Sequence, residues 1–312
     1  MFFKVIRKAK YRFTSLLITS LVLALLVSFG IGGCGPGADD GTKPEVLRLG
    51  LIPAEDIEEM VKAFEPARQY LEKELGIPIE VFKATDYTAV IEAMRAKKVD
   101  VAYFGPFSYV LAAKRANAQA IVAGGDEDGR LRTYHSSLIT HKDSGLKSVD
   151  DVKARAGELT ISFVDPASTS GHLIPRGHLQ SVGINVDEDF KEVVFAGGHD
   201  ASILAVKARK VDLGAAADIQ YQRAVEKGLV DQDEVFVIWK SDPIPRSPVA
   251  VRGDLDEALI KKIQQAFLDM SQKAPEAFEQ FEGRWEKNES YVAVSDETYE
   301  GIRKLAIALG KL

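Results

Sequence analysis

Residues 165–172 read DPASTSGH and place three hydroxyl side chains, Ser168, Thr169 and Ser170, in a row before a glycine. Upstream, TISFV has the apolar pattern of a buried strand; downstream, Leu173, Leu179 and Val182 recur at helical spacing. Pro175 lacks an N–H and suits a first helical turn, so the helix is expected to begin near Gly171 or His172. The hydroxyls then crowd a helix N-terminus, where free amides and the positive end of the dipole favour an anion. Serine and threonine also serve as plain helix caps, so the rest of the chain must decide between the two roles.

A self-comparison supplies the next clue. Residues 89–102 (AVIEAMRAKKVDVA) align without gaps to 201–214 (ASILAVKARKVDLG), with Ala89, Ile91, Ala93, Ala96, Lys98, Val99 and Asp100 identical in the second copy. Each copy reads as an amphipathic helix, a basic last turn and an apolar strand, so two lobes share one helix–strand unit. Extending the alignment sets Tyr87 opposite His199, each in the loop after an apolar strand pattern (79–87 and 192–200). Ligands in open α/β sheets bind outside the carboxyl ends of strands, so these two side chains are candidates to face one another across a cleft. The strands that close the repeats exit into YFGP (103–106) and AAAD (215–218), which brings Tyr103, Phe104 and Asp218 to the same edge. Taken singly, Tyr87 reads equally as a core-rim aromatic, His199 as a loop histidine and Asp218 as a helix cap.

Those elements belong to an exported, tethered chain. Lys4, Arg7, Lys8, Lys10 and Arg12 precede an apolar run from Leu16 to Phe29 and then IGGC, the pattern of a signal peptide over residues 1–34. Cys34 is the single cysteine of the 312 residues, which excludes an internal disulfide framework and a cysteine-rich metal site. Its context resembles the lipobox of bacterial lipoproteins. Lipidation at Cys34 is therefore expected, with an uncleaved membrane anchor as the competing reading, followed by a flexible linker at 35–44 (GPGADDGTKP). The whole chain carries a net charge of −6; residues 1–34 hold five cations and no acid, which leaves −11 beyond them. An acidic surface without a basic, aromatic-laced patch argues against nucleic acid as a partner.

TDYTAV, VDVAYFGPFSYV, DPASTSGHLIP, FAGGHDASILAV and VDLGAAAD together resemble the solute-binding proteins of phosphonate and phosphite ABC importers, across about residues 46–300. The resemblance implies an α/β, two-lobed periplasmic-binding-protein fold of type II with two hinge crossovers. Lobe one is expected at 45–140 with the C-terminal part 243–312, and lobe two at 141–242. It implies an oxyanion held by Ser168, Thr169 and Ser170, by Tyr87 and by His199, with Asp218 at an acidic position and Tyr103 or Phe104 as the aromatic of the other lobe. It also implies a monomer that delivers its ligand to an ABC permease and its ATPase, in the periplasm or at the cell surface, with a lipid anchor and without a cofactor or metal. Family members that take aminoalkyl phosphonates use two acids for the amine. Here the second falls in SDPIPRSPVA, at Ser247 or Arg246, and is not an acid. This departure favours phosphite or methylphosphonate over larger phosphonates such as 2-aminoethylphosphonate. If Asp218 faces the anion, a P–OH proton must lie between them, so the singly protonated form is expected.

An exported enzyme acting on phosphonates or phosphate esters is the rival class. The histidines at 135, 141, 172, 178 and 199 lack H-x-x-x-H and H-E-x-x-H spacing, and neither a G-K-[ST] phosphate loop nor a G-x-S-x-G elbow occurs. A non-enzymatic receptor is expected. A sensor that presents its closed form to a membrane kinase has the same sequence requirements.

Overall fold

The computed structural model describes residues 44–283 and 289–312. The leader, Cys34 and the spacer up to residue 43 lie outside the described residues. Among the described residues no helix is long and apolar enough to cross a membrane.

Strands β1 (Leu47–Leu51), β2 (Ile79–Lys83), β3 (Val101–Tyr103) and β4 (Ala118–Gly125) lead to a two-residue strand β5 (Thr133–Tyr134). Then come β6 (Ser136–His141), β7 (Thr160–Phe163), β8 (Glu192–Phe195), β9 (Leu213–Ala217), β10 (Val235–Lys240), β11 (Ile244–Pro245), β12 (Pro248–Arg252) and β13 (Ser290–Ala293). One sheet has the order β13-β4-β12-β3-β1-β2 and the other β10-β6-β9-β7-β8. Apart from β13 the two orders are the same pattern. Each lobe has three parallel strands, then an antiparallel strand that arrives from the other lobe: β12 beside β3 and β6 beside β9. The chain crosses between sheets at β5 and β11, which pair antiparallel with Ile244 opposite Tyr134. The architecture is a two-lobed periplasmic-binding-protein fold with two crossovers.

The internal repeat is structural. Helices Tyr87–Arg95 and His199–Lys207 occupy equivalent places, and the turns after them use Lys97 (φ 58°) and Arg209 (φ 54°), left-handed non-glycine residues at matching positions. Asp100 accepts the N–H of Arg48 on β1 at 2.9 Å, and Asp212 accepts the N–H of Thr160 on β7 at 2.8 Å. Each aspartate therefore ties its own turn to the first strand of its sheet, which explains why Val-Asp survives in both copies. The Asp100 carboxylate also pairs with buried Arg252 at 2.9 Å, fixing β12 to lobe one.

The lobes are in contact. The His199 N–H donates to the Ala54 carbonyl (2.8 Å), the Phe107 N–H to Thr169 Oγ1 (2.8 Å) and the Tyr87 N–H to Asp165 Oδ2 (3.3 Å). Arg223 of lobe two pairs with Glu55 of lobe one at 2.9 Å. One apolar cluster runs across the cleft, joining Ile52, Tyr87 and Tyr299 to Val164, Leu173 and Ile219. Apolar burial rewards this contact between the lobes.

Candidate functional site

The hydroxyl turn is more tightly wound into its helix than the proline suggests. Helical backbone starts at Thr169, two residues before the expected Gly171, as a π turn (Thr169–Leu173) that runs into helix Ile174–Ser181. The reason is local. The Leu173 N–H reaches back five residues to the Ser168 carbonyl (3.0 Å), while Pro175 has no N–H to offer the Ser170 carbonyl. The Ser136 hydroxyl donates to that carbonyl instead, at 2.6 Å. Ser168 is the N-cap, its Oγ accepting the Gly171 N–H at 3.1 Å. Gly171 is required by contact, since a Cβ there would stand 2.3 Å from Val164 Cγ2. The N–H groups of Thr169 and Ser170 open the turn and have no helical acceptor.

This turn forms one wall of a cavity of about 40 Å³. Ser168, Thr169, Ser170 and His199 enter from lobe two; Tyr87 and Tyr103 enter from lobe one; Tyr134, Arg246 and Ser247 come from the crossovers. Ile52, Ala54, Ala217 and Ile219 supply an apolar side, and Gln220 completes the wall. Tyr87 and His199 are each the first residue of their repeated helix, so the pseudo-symmetry of the repeat is what brings them to one place.

The site is rich in donors. Thr169 Oγ1 accepts the Phe107 N–H across the cleft, which leaves its own O–H as a donor. His199 Nδ1 accepts the Ala217 N–H at 3.0 Å, so the neutral ring carries its proton on Nε2. Burial pushes that imidazole down to about 3, which keeps it neutral throughout the physiological range. The same ring therefore offers an N–H, not a lone pair, and cannot act as the base for a serine nucleophile. Tyr134 is pushed up to about 12 by burial, moderated by contact with the Ser170 and Thr169 hydroxyls. Burial also raises Tyr87 and Tyr103 well above the usual phenol range. Arg246 is buried against the Tyr134 ring, its guanidinium carbon 6.0 Å from the ring centre, and supplies a full positive charge.

Two expected site residues stand elsewhere. Asp218 does not line the cavity. Its Oδ1 accepts the N–H groups of His135 (2.9 Å) and Ile219 (3.0 Å), and its Oδ2 pairs with Lys240 at 2.9 Å. It pins the start of helix Asp218–Glu226 to the crossover, and Gln220, two residues later, is the side chain that reaches the wall. Phe104 is fully buried in the lobe-one core, and Tyr103 is the aromatic of that pair at the cavity. Since alternate residues of an extended segment point to opposite sides, only one of the two can face the cleft.

Sequence reasoning missed Tyr134 and Gln220 as lining residues and met Arg246 and Ser247 only as a missing acid. Tyr134 had no local signal. Arg246 had one, a cation amid prolines and apolar residues, between two short strands. Among the described residues no cluster of three or more His, Cys, Asp or Glu could hold a metal ion.

Residues 49–299 match the family profile described as ABC transporter, phosphonate, periplasmic substrate-binding protein. A phosphate-import protein of Mycolicibacterium smegmatis is 32% identical over 284 residues, covering 86% of this chain and 87% of that one. A phosphonates-binding periplasmic protein of Escherichia coli is 34% identical over 232 residues, 74% of this chain and 68% of the relative. Among solved structures, a binding protein component of a phosphonate ABC transporter from Pseudomonas aeruginosa superposes with a TM-score of 0.77 at 27% identity, covering 84% and 86% of the two chains. With this fold, this cavity and these relatives, the chain belongs to the family of periplasmic phosphonate- and phosphate-binding components of ABC transporters.

Proposed function

We propose that the protein captures phosphite or methylphosphonate between its lobes and delivers it to an ABC permease, tethered to the membrane through a lipid on Cys34. The observation that carries the reading is the size and lining of the cavity. A single water needs about 10–15 Å³, so a cavity of about 40 Å³ suits a compact tetrahedral anion better than one with a long alkyl arm. The hydroxyls, the His199 N–H, the open amides of the turn and Arg246 saturate the oxygens of such an anion with donors. The apolar side, Ile52, Ala54, Ala217 and Ile219, suits a P–H or P–CH₃ group, where a fourth oxygen would lose its hydrogen bonds.

An aminoalkyl phosphonate fits less well. Its ammonium would meet Arg246, Ser247 and Gln220, one cation and two neutral groups, with Asp218 already paired to Lys240. Phosphate is the second reading, favoured by the 32% identity to a phosphate-import protein.

Calorimetric titration of the ligand-stripped protein with phosphite, methylphosphonate, phosphate and 2-aminoethylphosphonate separates these. The expected ranking puts phosphite and methylphosphonate first and the amine last. Preferred binding of phosphate would transfer the assignment to the second reading, and preferred binding of the amine would overturn the argument from Gln220 and Arg246. Mass spectrometry of the protein purified from membranes tests the diacylglyceryl group at Cys34.

A further inference from the structure

We propose that Arg176 is a positioning residue for the anion: it acts through His172 to hold the two arms of the hydroxyl turn in register, without touching the ligand. This rests on the functional reading above and extends the site to residues that do not line the cavity. The open amides of Thr169 and Ser170 lie between a strand-side arm, 164–168, and a helix-side arm, 171–173. Backbone bonds tie the arms, from the Val164 N–H to the Gly171 carbonyl (2.9 Å) and from the Leu173 N–H to the Ser168 carbonyl (3.0 Å). A further tie is a side chain: His172 Nδ1 stands 2.8 Å from the Pro166 carbonyl.

That tie needs one particular tautomer. A carbonyl only accepts, so Nδ1 carries the proton and Nε2 is left as a buried lone pair. Arg176, one helical turn on, meets it: its Nε–H donates to Nε2 at 2.9 Å. A guanidinium has donors only and keeps its charge, so it selects the neutral ring with the proton on Nδ1. Arg176 is itself fixed. Its terminal nitrogens donate to the two Asp187 oxygens at 2.8 and 2.9 Å, and its guanidinium carbon lies 5.8 Å from the centre of the Phe163 ring. Phe163 and Phe195 meet the imidazole edge-on, with ring centres 5.1 and 5.2 Å away. The charges facing the ring are Arg176, Asp187 and Lys311, the last from the C-terminal end of lobe one. Burial first, and then the two cations, lower the imidazole to about 4. His199 is the opposite tautomer, with Nδ1 accepting and Nε2–H free for the cavity. The site thus uses two neutral histidines, one that faces the ligand and one that holds the turn.

Removing the Arg176 donor leaves Nε2 buried without a partner, so the ring must turn over or take up a proton, and the Pro166 tie is disturbed. Because hydrogen bonds weaken steeply with angle, a shift of one arm against the other misdirects the Thr169 and Ser170 amides.

The test combines calorimetry with ¹⁵N–¹H NMR of the imidazoles, both on the whole protein. In the wild type the His172 signals should show the Nδ1–H form, unchanged between about pH 5.5 and pH 8; a neutral ring with its proton on Nε2 would overturn the proposal. Arg176→Met keeps an apolar stem and removes the donor. It is expected to lose that signature, to let the ring titrate nearer its ordinary value of 6.5, and to weaken phosphite and methylphosphonate alike by about tenfold. Arg176→Lys retains a donor and should recover part of the signature and of the affinity together. Affinity within about twofold of wild type in Arg176→Met, with the signature lost, would show that the ring does not position the turn. An intact signature in Arg176→Met would show that Arg176 does not set the ring, and would equally overturn the proposal. Asp187→Asn leaves the core untouched and serves if Arg176→Met does not fold. It loosens the guanidinium from its outer side and should weaken both ligands about threefold while shifting the His172 signals; wild-type affinity there would contradict the proposal. Absence of binding by either anion in the wild type would reject the functional reading itself, an outcome distinct from wild-type binding that Arg176→Met leaves unmoved.

Discussion

Two helix N-termini occupy equivalent positions in the two lobes, and they are built with opposite chemistry. In lobe one, β1 runs through Ile52 and Ala54 to Asp56, which caps helix Ile57–Leu75 by accepting the Glu59 N–H; Glu58 and Glu59 fill the first turn. In lobe two, β7 runs through Val164 and Pro166 to Ser168, which caps by accepting the Gly171 N–H, with Thr169 and Ser170 following. The offset of the repeat carries Asp56 onto Ser168 and Glu59 onto Gly171. Both solutions satisfy an orphan amide. The acidic one also neutralises the dipole and repels anions, whereas the hydroxyl one leaves that field to a ligand. One structural unit, used twice, thus became a plain cap in one lobe and an anion cradle in the other.

The most direct way to break this difference is to write lobe one's chemistry into lobe two. Ser168→Asp keeps a competent cap, so the fold should survive, but it sets a carboxylate against the anion. Binding of phosphite and methylphosphonate is expected to weaken about thousandfold, roughly 4 kcal/mol, as read by calorimetry. Binding within a factor of a few of wild type would place the ligand elsewhere.

Phe104→Ala sharpens the comparison from lobe one's side. The ring belongs to the lobe-one core and does not reach the cavity, so the variant should lose about 3 kcal/mol of stability in denaturant unfolding while keeping the order of ligand preference. A changed preference between phosphite and phosphate would return Phe104 to the site.

Acid should act on lobe two. All five histidines fall between residues 135 and 199, and burial lowers His172 to about 4 and His199 to about 3. A lowered folded value means that the unfolded chain takes up the proton first. The stability these rings confer is therefore present above about pH 6.5, declines as pH falls through that value and stops declining only below the folded values. Between pH 7 and pH 5 each ring should cost about 2 kcal/mol. Hydrogen exchange at the two pH values should show the loss in residues 136–240, and equal loss in both lobes would contradict this origin.

The smallest effect is expected at the outer latch. Glu55→Gln removes one charge of the Glu55–Arg223 pair, which does not itself line the cavity, and should weaken every ligand by the same factor, about fivefold or roughly 1 kcal/mol. A ligand-dependent factor would mean that the pair senses the cavity.

Much of this was legible before any coordinates. The repeat announced two lobes because identical residues at one offset serve identical backbone tasks, as Asp100 and Asp212 do. The same offset brought Tyr87 and His199 to matching helix starts. What escaped was of a different kind. Whether Asp218 faces a cleft or a crossover depends on Lys240, a partner distant in sequence, and no local pattern encodes that pairing. Tyr134 and Arg246 reach the cavity because two short crossover strands pair, a long-range event written in no periodicity. The choice between Tyr103 and Phe104 turned on the phase of one short strand, where a shift of a single residue exchanges the faces.

The central claim is that lobe two's hydroxyl turn holds the anion and lobe one's acidic counterpart does not. A crystal structure of the protein with bound phosphite tests it most directly. The account predicts phosphorus oxygens within hydrogen-bond distance of Ser168, Thr169, Ser170 and His199 Nε2, with Asp218 still on Lys240. Phosphite bound away from the turn, or Asp218 swung into the cavity onto a P–OH, would contradict it.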